Sequence, residues 1–418
     1  MTEETNPRAD PKVSSGRLPG IEGIDYKRAA IEYVGNLDAR GLHYLRTKPF
    51  YNLAKKIPKY RGNGMDVETH RHFCDFANMA VALDLPAGAR ILDVACGSGW
   101  LSEYFARLGY DVTGIDLNPD LIRVSQDRLS HVAYPVDHET PLRSRFLSHD
   151  VELSPLDETF DAIICYDAMH HFLDEHAVAR HFAAMLPVGG LLFILEGRRP
   201  PPASNGEAEL INAMHEYRVL ESPFDPAYLR QLLDDAGFAV IGDYVSVNEL
   251  IDRDALDSER RVHVETLEVN YLLCKKIAEE GSASHIPTSR NPGLLRVRYS
   301  VGATWREFFA PGEKILLPLS IENTGDTLWL GGKYQRHSGI VTLGVKIINH
   351  EGVVVDEFHG EPPLPRCIAP KEKADVVIEH MCPSKPGAYT LKIDLVDQQI
   401  CWFEERGAKP LSLPLQIR

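Results

Sequence analysis

The sequence predicts an α/β domain followed by an all-β sandwich, and three observations carry that prediction. Residues 91–116, ILDVACGSGWLSEYFARLGYDVTGID, read as a buried strand, a tight glycine turn, a short helix and a second strand ending on a carboxylate. Apolar runs and helical stretches keep alternating to about residue 276. Past residue 293 the helical period vanishes, and short β-branched runs separated by Gly and Pro take over.

A chain of 418 residues is too long for one ordinary core, so two domains are expected. Apolar content of 44% and charged content of 25% fit a soluble globular protein. The net charge of −15 argues against a general nucleic-acid binder, because neutralising phosphates needs clustered Lys and Arg. Residues 290–418 hold 16 basic and 15 acidic residues, so the acidity belongs to the first part. The seven cysteines are scattered and never spaced C-x-x-C, which argues against a zinc site or a disulfide framework. A reducing, cytoplasmic location follows as the expectation. No apolar run approaches the roughly 20 residues needed to span a bilayer. Residues 1–20 lack the apolar core of a signal peptide and are expected to form a disordered tail.

In the first stretch, Cys96-Gly97-Ser98-Gly99 makes the turn, and Asp116 falls seventeen residues after Gly99. A strand-helix-strand unit brings that carboxylate beside the turn, at the crevice where an open α/β sheet binds ligands. The glycines let a ligand approach the backbone, the helix that follows points free N–H groups at it, and the carboxylate can accept both hydroxyls of a ribose. A nucleoside-type cofactor is implied. Dinucleotide sites usually add a third glycine, and that position here is Ser102.

The spacing instead resembles motif I of the class I S-adenosylmethionine-dependent methyltransferases, acidic-x-G-x-G-x-G. Asp93, Gly97 and Gly99 match it, and Ala95 stands where the first glycine often sits. The resemblance implies a Rossmann-like domain with S-adenosyl-L-methionine as cofactor. It places Asp93, Ala95, Gly97 and Gly99 around the methionine and ribose, Asp116 and Leu117 at the ribose, Asp150 and Val151 at the adenine, and Tyr166 nearby.

The remaining elements follow in order. Residues 24–85 read as helices dense in His43, Tyr44, Phe50, Tyr51, Tyr60, His70, His72 and Phe73. In similar proteins such helices form a lid, so one or two of these residues are expected to touch a ligand. A helix from Pro119, a third strand ending near Asp150 and a fourth over residues 160–165 continue the alternation. The fourth opens into Tyr166-Asp167-Ala168-Met169-His170-His171-Phe172, which is similar to the family's motif after strand four.

His170 and His171 are the catalytic candidates, since histidine has the pKa to deprotonate an acceptor. In relatives with this motif the pair can instead cap the following helix or line the pocket. Adjacent histidines with no spaced third ligand argue against a metal. A helix over 174–186, a fifth strand over 191–195 ending at Glu196, and an insertion carrying Arg198, Arg199, His215, Glu216 and Tyr217 come next; the insertion is where similar enzymes build an acceptor pocket. Strands over 239–247 and 262–276 close the sheet.

The expected organisation is a tail over 1–20, a methyltransferase domain with helical lid over 21–278, a linker over 279–293 and an antiparallel β-sandwich over 294–418. Asn323-Thr324-Gly325 with Trp329, and the run from Pro386 to Glu404, resemble immunoglobulin-like modules of surface-polysaccharide biosynthesis proteins. That looser resemblance implies a sugar-binding face built on Trp402, Glu404 and Glu405, or a scaffold. The sequence-based reading is a methyltransferase that O-methylates a sugar or glycan intermediate. Methylation of an unrelated small metabolite and a non-catalytic, cofactor-binding glycan-recognition protein are its alternatives, and a homo-oligomer is an open expectation.

Overall fold

The computed structural model describes residues 16–50, 67–132, 141–244, 269–277, 287–290, 292–302, 305–331 and 339–418. The chain divides into two compact units, Met1–Ala283 and Ser284–Arg418.

In unit 1, three helices come first: α1 (Tyr26–Glu32), α2 (Ala39–Thr47) and α3 (Val67–Leu83). Then β1 (Arg90–Val94), α4 (Trp100–Arg107), β2 (Asp111–Asp116), α5 (Pro119–Ser130), β3 (Ser144–Ser148), β4 (Ala162–Tyr166), α6 (Glu175–Ala184) and β5 (Leu191–Gly197) alternate. After α7 (Asn205–Tyr217) and α8 (Pro226–Asp235), β6 (Phe238–Tyr244) and β7 (Val269–Lys276) complete the sheet. The strand order is β3-β2-β1-β4-β5-β7-β6, parallel except that β7 runs antiparallel to both β5 and β6. The order reverses between β1 and β4, and that switch point is where ligands bind in such sheets. Strand β4 is buried along its whole length, which explains its unbroken apolar run.

Capping fixes the helix starts. Asn118 accepts from the N–H groups of Asp120 and Leu121 while Pro119 occupies the first turn of α5. The amide of Asn118 also donates to the carbonyls of Ala30 and Ile31, which ties the end of α1 to the tip of β2. None of the helices among the described residues is long and apolar enough to cross a membrane.

Unit 2 contains β8 (Val297–Val301), β9 (Phe308–Phe309), β10 (Lys314–Asn323), β11 (Val341–Asn349), β12 (Val354–Pro363), β13 (Lys373–Met381), β14 (Gly387–Asp397), β15 (Cys401–Trp402) and β16 (Leu411–Ile417). They form sheets of order β13-β10-β8 and β12-β11-β14-β16-β9. One core is shared by Ile315, Leu317 and Leu319 of β10 and Leu391, Ile393 and Leu395 of β14, with Trp329 fully buried against Phe403. The two sheets are therefore the faces of a sandwich.

Three expectations need correction, and a fourth lies partly outside the described residues. The sandwich is not wholly antiparallel, because β9 pairs parallel with β16. Within the stretch read as linker, Thr288 bridges Leu328, and the buried Ser289 hydroxyl donates to the Gly339 carbonyl and accepts from the Leu330 N–H, so these residues belong to unit 2. Residues 16–20 are not tail, since Leu18 is buried and Arg17 is ion-paired. Strand β6 is described only to Tyr244 and β7 only from Val269; the rest of both expected strands lies outside the described residues.

Candidate active site

The turn between β1 and α4 is shaped by three residues in the left-handed region: Ala95 at φ 55°, Gly97 at φ 55° and Gly99 at φ 71°. A Cβ on Gly97 would meet nothing within 4 Å, so the space above its backbone is open to a ligand. Gly99 differs. A Cβ there would come within 2.8 Å of Phe146 and Ser125, and Gly99 caps α4 without lining the cavity. Gly99 is thus required where the chain packs against Phe146 and Ser125 at the start of α4.

Asp116 ties the two halves of the crevice together. Its Oδ2 accepts the Gly97 N–H at 3.0 Å and its Oδ1 the Asn118 N–H at 2.9 Å, and burial raises its pKa against those two bonds. Asp93 is buried beneath the turn and accepts from the Ser102 hydroxyl at 2.5 Å. Burial pushes Asp93 up to about 7, opposed by the Ser102 bond. Ser102 thus has a defined task at the position where a dinucleotide site would carry glycine.

A cavity of about 580 Å³ opens above the turn. Asp93, Ala95, Gly97, Asp116, Leu117, Asp150, Val151, Tyr166 and His171 all line it; of the acceptor candidates Tyr217 does so, and Arg198, Arg199, His215 and Glu216 do not. Asp150 is not a free carboxylate, because Lys27 of α1 lies 2.7 Å from it and 2.9 Å from Glu152.

The aromatic-rich helices lie differently from expectation. The cavity is lined from this side by Tyr26, Lys27, Ala30, Tyr33, Leu45 and Lys48, none of them among the residues singled out. Phe50 packs on Phe73, and His72 packs on Trp100 and Tyr166, its pKa lowered to about 3 chiefly by burial. Tyr51 and Tyr60 lie outside the described residues. No motif marked α1 as a cavity wall; its place is set by Asn118, nearly ninety residues away.

The histidine pair separates into two roles. His170 is buried, its Nδ1 2.5 Å from Glu196 Oε1 and its Nε2 3.3 Å from Glu221 Oε2. Burial opposes the imidazolium, but Glu196 and then Glu221 outweigh it and raise the pKa well above the ordinary histidine value. His170 is thus held between two carboxylates and does not line the cavity, so of the two catalytic candidates it is His171 that reaches the cavity wall. His171 lines the cavity and donates from Nδ1 to the Leu220 carbonyl at 2.6 Å. Burial and then the neighbouring His170 cation lower its pKa, so Nε2 carries a lone pair at neutral pH.

The fold also supplies carboxylates that adjacent histidines alone did not announce. His170, His171 and Glu221, and separately Asp167, His170 and Glu196, bring ligand atoms within 4.8 Å of one another. Their hydrogen bonds and ion pairs account for both groups, and no metal is assigned. Below them, the buried Asp75 accepts from the Tyr166 hydroxyl at 2.7 Å and from Tyr271.

A nucleoside cofactor carrying an amino-acid tail fits this lining. The backbone above Gly97 is open, the buried Ser98 hydroxyl has no partner among the described residues, Asp116 keeps lone pairs for a ribose, and Lys48 stands at the wall near Asp93 and Asp167. Fold and site together define an S-adenosylmethionine-dependent methyltransferase domain.

Residues 66–242 match the family model described as a methyltransferase domain. The chain is 40% identical over 118 residues to a ubiquinone biosynthesis O-methyltransferase of Xanthomonas axonopodis pv. citri, covering 28% of this chain and 47% of that protein. It is 39% identical over 127 residues to the protein of the same name from Xanthomonas oryzae pv. oryzae, covering 30% and 49%. The chain thus spans about half the length of the curated relatives it matches. Among solved structures it is similar to magnesium protoporphyrin IX methyltransferase from Synechocystis with bound SAH, at 17% identity, covering 56% of this chain and 96% of that one with a TM-score of 0.37.

S-adenosylmethionine, when bound, supplies a sulfonium methyl group open to in-line attack. What this chain adds is position and proton handling. The turn and Asp116 would hold the nucleoside, Lys48 would face the tail carboxylate, and α1, tied to Asp150 through Lys27, would cover the adenine. His171 Nε2 can take a proton from an acceptor while the Leu220 carbonyl keeps the other nitrogen protonated.

Proposed function

We propose that the whole protein is an S-adenosylmethionine-dependent O-methyltransferase in which His171 deprotonates an acceptor hydroxyl. The single observation that carries this reading is a neutral, tautomer-fixed histidine on the wall of a cavity whose floor is the cofactor turn. The preferred acceptor is a sugar or glycan intermediate of surface-polysaccharide biosynthesis, supported by the appended sandwich with its immunoglobulin-like sequence signatures. One observation weakens a sugar platform at Trp402: Lys346 Nζ stands 3.7 Å over the ring, and Lys392 and Lys346 both engage Glu404. The second reading is a small metabolite outside glycan synthesis, favoured by the name ubiquinone biosynthesis O-methyltransferase that the matching relatives share.

The first test is a thermal shift with S-adenosylhomocysteine and with NAD, on wild type and Asp116→Asn. Ligand at about 100 times its Kd adds about 2.7 kcal/mol. The expected result is a rise with S-adenosylhomocysteine only, cut sharply in Asp116→Asn because hydrogen bonds to a charged group are each worth about 1.5–3 kcal/mol. A rise with NAD, or no rise at all, removes the reading. Labelled-methyl transfer to nucleotide sugars against ubiquinone precursors then decides between the two acceptor classes.

A further inference from the structure

Residues 16–20 form a short strap across the segment that precedes α8. Leu18 N–H donates to the Pro223 carbonyl at 3.4 Å, Asp225 N–H to the Gly16 carbonyl at 2.7 Å, and the Ser222 hydroxyl to the Leu18 carbonyl. Phe224 is bridged to Arg17 on one side and to Arg198, just past β5, on the other. Residues 222–225 are thus held between the strap and the residue that follows β5. Two residues upstream lie the groups that set the state of the histidine pair: the Leu220 carbonyl on His171 Nδ1 and the Glu221 carboxylate on His170 Nε2.

Arg17 is the residue that spans this arrangement. Its side chain is only 11% exposed. Nε donates to Ser222 Oγ at 2.7 Å, Nη2 to the His170 carbonyl at 3.2 Å and Nη1 to Glu175, while the guanidinium lies 5.0 Å from the centre of the Phe224 ring. One planar fork therefore joins the backbone of the histidine turn to the segment that supplies its partners. A lysine could not do this, because a single ammonium lacks donors fixed in divergent directions. Helix α6 does not depend on the fork alone, since Glu175 also accepts from the Tyr228 hydroxyl at 2.6 Å.

We propose that Arg17 is a positioning residue for methyl transfer: by linking Ser222 to the His170 carbonyl, it holds the Leu220 carbonyl on His171 Nδ1 and leaves Nε2 as the nitrogen that receives the acceptor's proton. The inference rests on the reading of His171 as proton acceptor. A neutral imidazole exchanges between its tautomers unless one nitrogen has a fixed partner, so a shift of the Leu220 carbonyl would turn the base into a mixture. Arg17 itself does not line the cavity.

The test uses the full chain with nitrogen-15-labelled histidine, read by long-range proton–nitrogen spectra at neutral pH, on wild type, Arg17→Lys and Ser222→Ala. The wild type should show His171 as the Nδ1–H tautomer alone. Both variants should show a tautomer mixture at His171, while S-adenosylhomocysteine affinity by calorimetry stays within about threefold, under ~0.7 kcal/mol. An unchanged tautomer in the folded variants overturns the proposal. So does a parallel loss of cofactor binding in both, which would make Arg17 a structural residue. If Arg17→Lys does not fold, Ser222→Ala, which keeps the arginine, decides by the same two readouts. If the wild type itself fails to bind S-adenosylhomocysteine, the methyltransferase reading falls, whereas the tautomer result reports on Arg17 independently.

Discussion

Lys27 Nζ lies 2.7 Å from Asp150 Oδ2 and joins α1 to the turn after β3, beside the cavity that both residues line. Burial works against the ammonium, but hydrogen bonds to Asp150 and Glu152 outweigh it and raise its pKa. The pair closes α1 over the position expected for the adenine. Lys27→Ala should therefore speed release of S-adenosylhomocysteine about 2–5-fold, the scale of a partly exposed ion pair worth ~0.5–1 kcal/mol. Stopped-flow dissociation would check it, with one further signature: added salt should accelerate release from wild type and barely affect the variant. Equal rates in both would mean that α1 does not gate the cofactor.

Ala95 holds φ 55°, a conformation that costs a residue with a Cβ about 1–2 kcal/mol. Ala95→Gly should relieve that strain, less the greater chain entropy of glycine, and stabilise unit 1 by about 0.5–1 kcal/mol. Urea unfolding of the two proteins side by side measures this. A lower midpoint in the variant would show that the alanine methyl is repaid by packing.

How far the sequence disclosed this arrangement depends on the range of the interactions involved. Strands β1 and β2, the cofactor turn and Asp116 were legible because their residues lie within one strand-helix-strand unit, where spacing dictates proximity, and β4 was legible from its unbroken apolar run. The roles of His170 and His171 were not, because Glu196, Leu220 and Glu221 come from 26 to 51 positions further on and decide which ring stays neutral. Aromatic density misled for the helices before β1. Their rings pack on α4 and Tyr166, while the cavity wall is made by the unremarked Tyr26, Ala30 and Lys48. The strap was invisible because residues 16–20 have the composition of a tail and are ordered by partners two hundred positions away.

The division of labour between the histidines predicts a pH signature. Burial and the His170 cation lower the His171 pKa, so its neutral, proton-accepting form persists below the ordinary histidine range. The acid limb of kcat should therefore fall below pH ~6.5, the unperturbed value. His171→Gln should cut kcat about 10²–10⁴-fold with little change in KM for S-adenosylmethionine, because the residue handles the acceptor's proton and not the cofactor. Rates over pH 5 to 9 for both proteins, with whichever acceptor class is turned over, give the answer. A variant with near-normal kcat would shift proton transfer to water or to an already ionised acceptor.

Unit 2 carries a separate pH prediction at Asp397. The residue is 0% exposed, and neither carboxylate oxygen has a hydrogen-bond partner among the described residues. Burial pushes its pKa up to about 7, opposed only by the charge of Arg406. Unfolded, the same carboxyl would titrate near ~3.9. Between those two values the folded state holds a proton that the unfolded state has released, so stability falls as pH rises through this window. The slope is at most about 1.4 kcal/mol per pH unit, and the loss is complete above the folded pKa. Asp397→Asn removes the titrating group and should flatten that part of the profile, whatever its effect on absolute stability. Unfolding of the full chain at pH 5, 6, 7 and 8, followed through the buried Trp329 and Trp402 beside the site, measures the slope. A profile as steep in the asparagine variant as in wild type would assign the pH dependence to other buried acids, of which Asp394, raised to about 6 chiefly by burial, is the nearest in sequence.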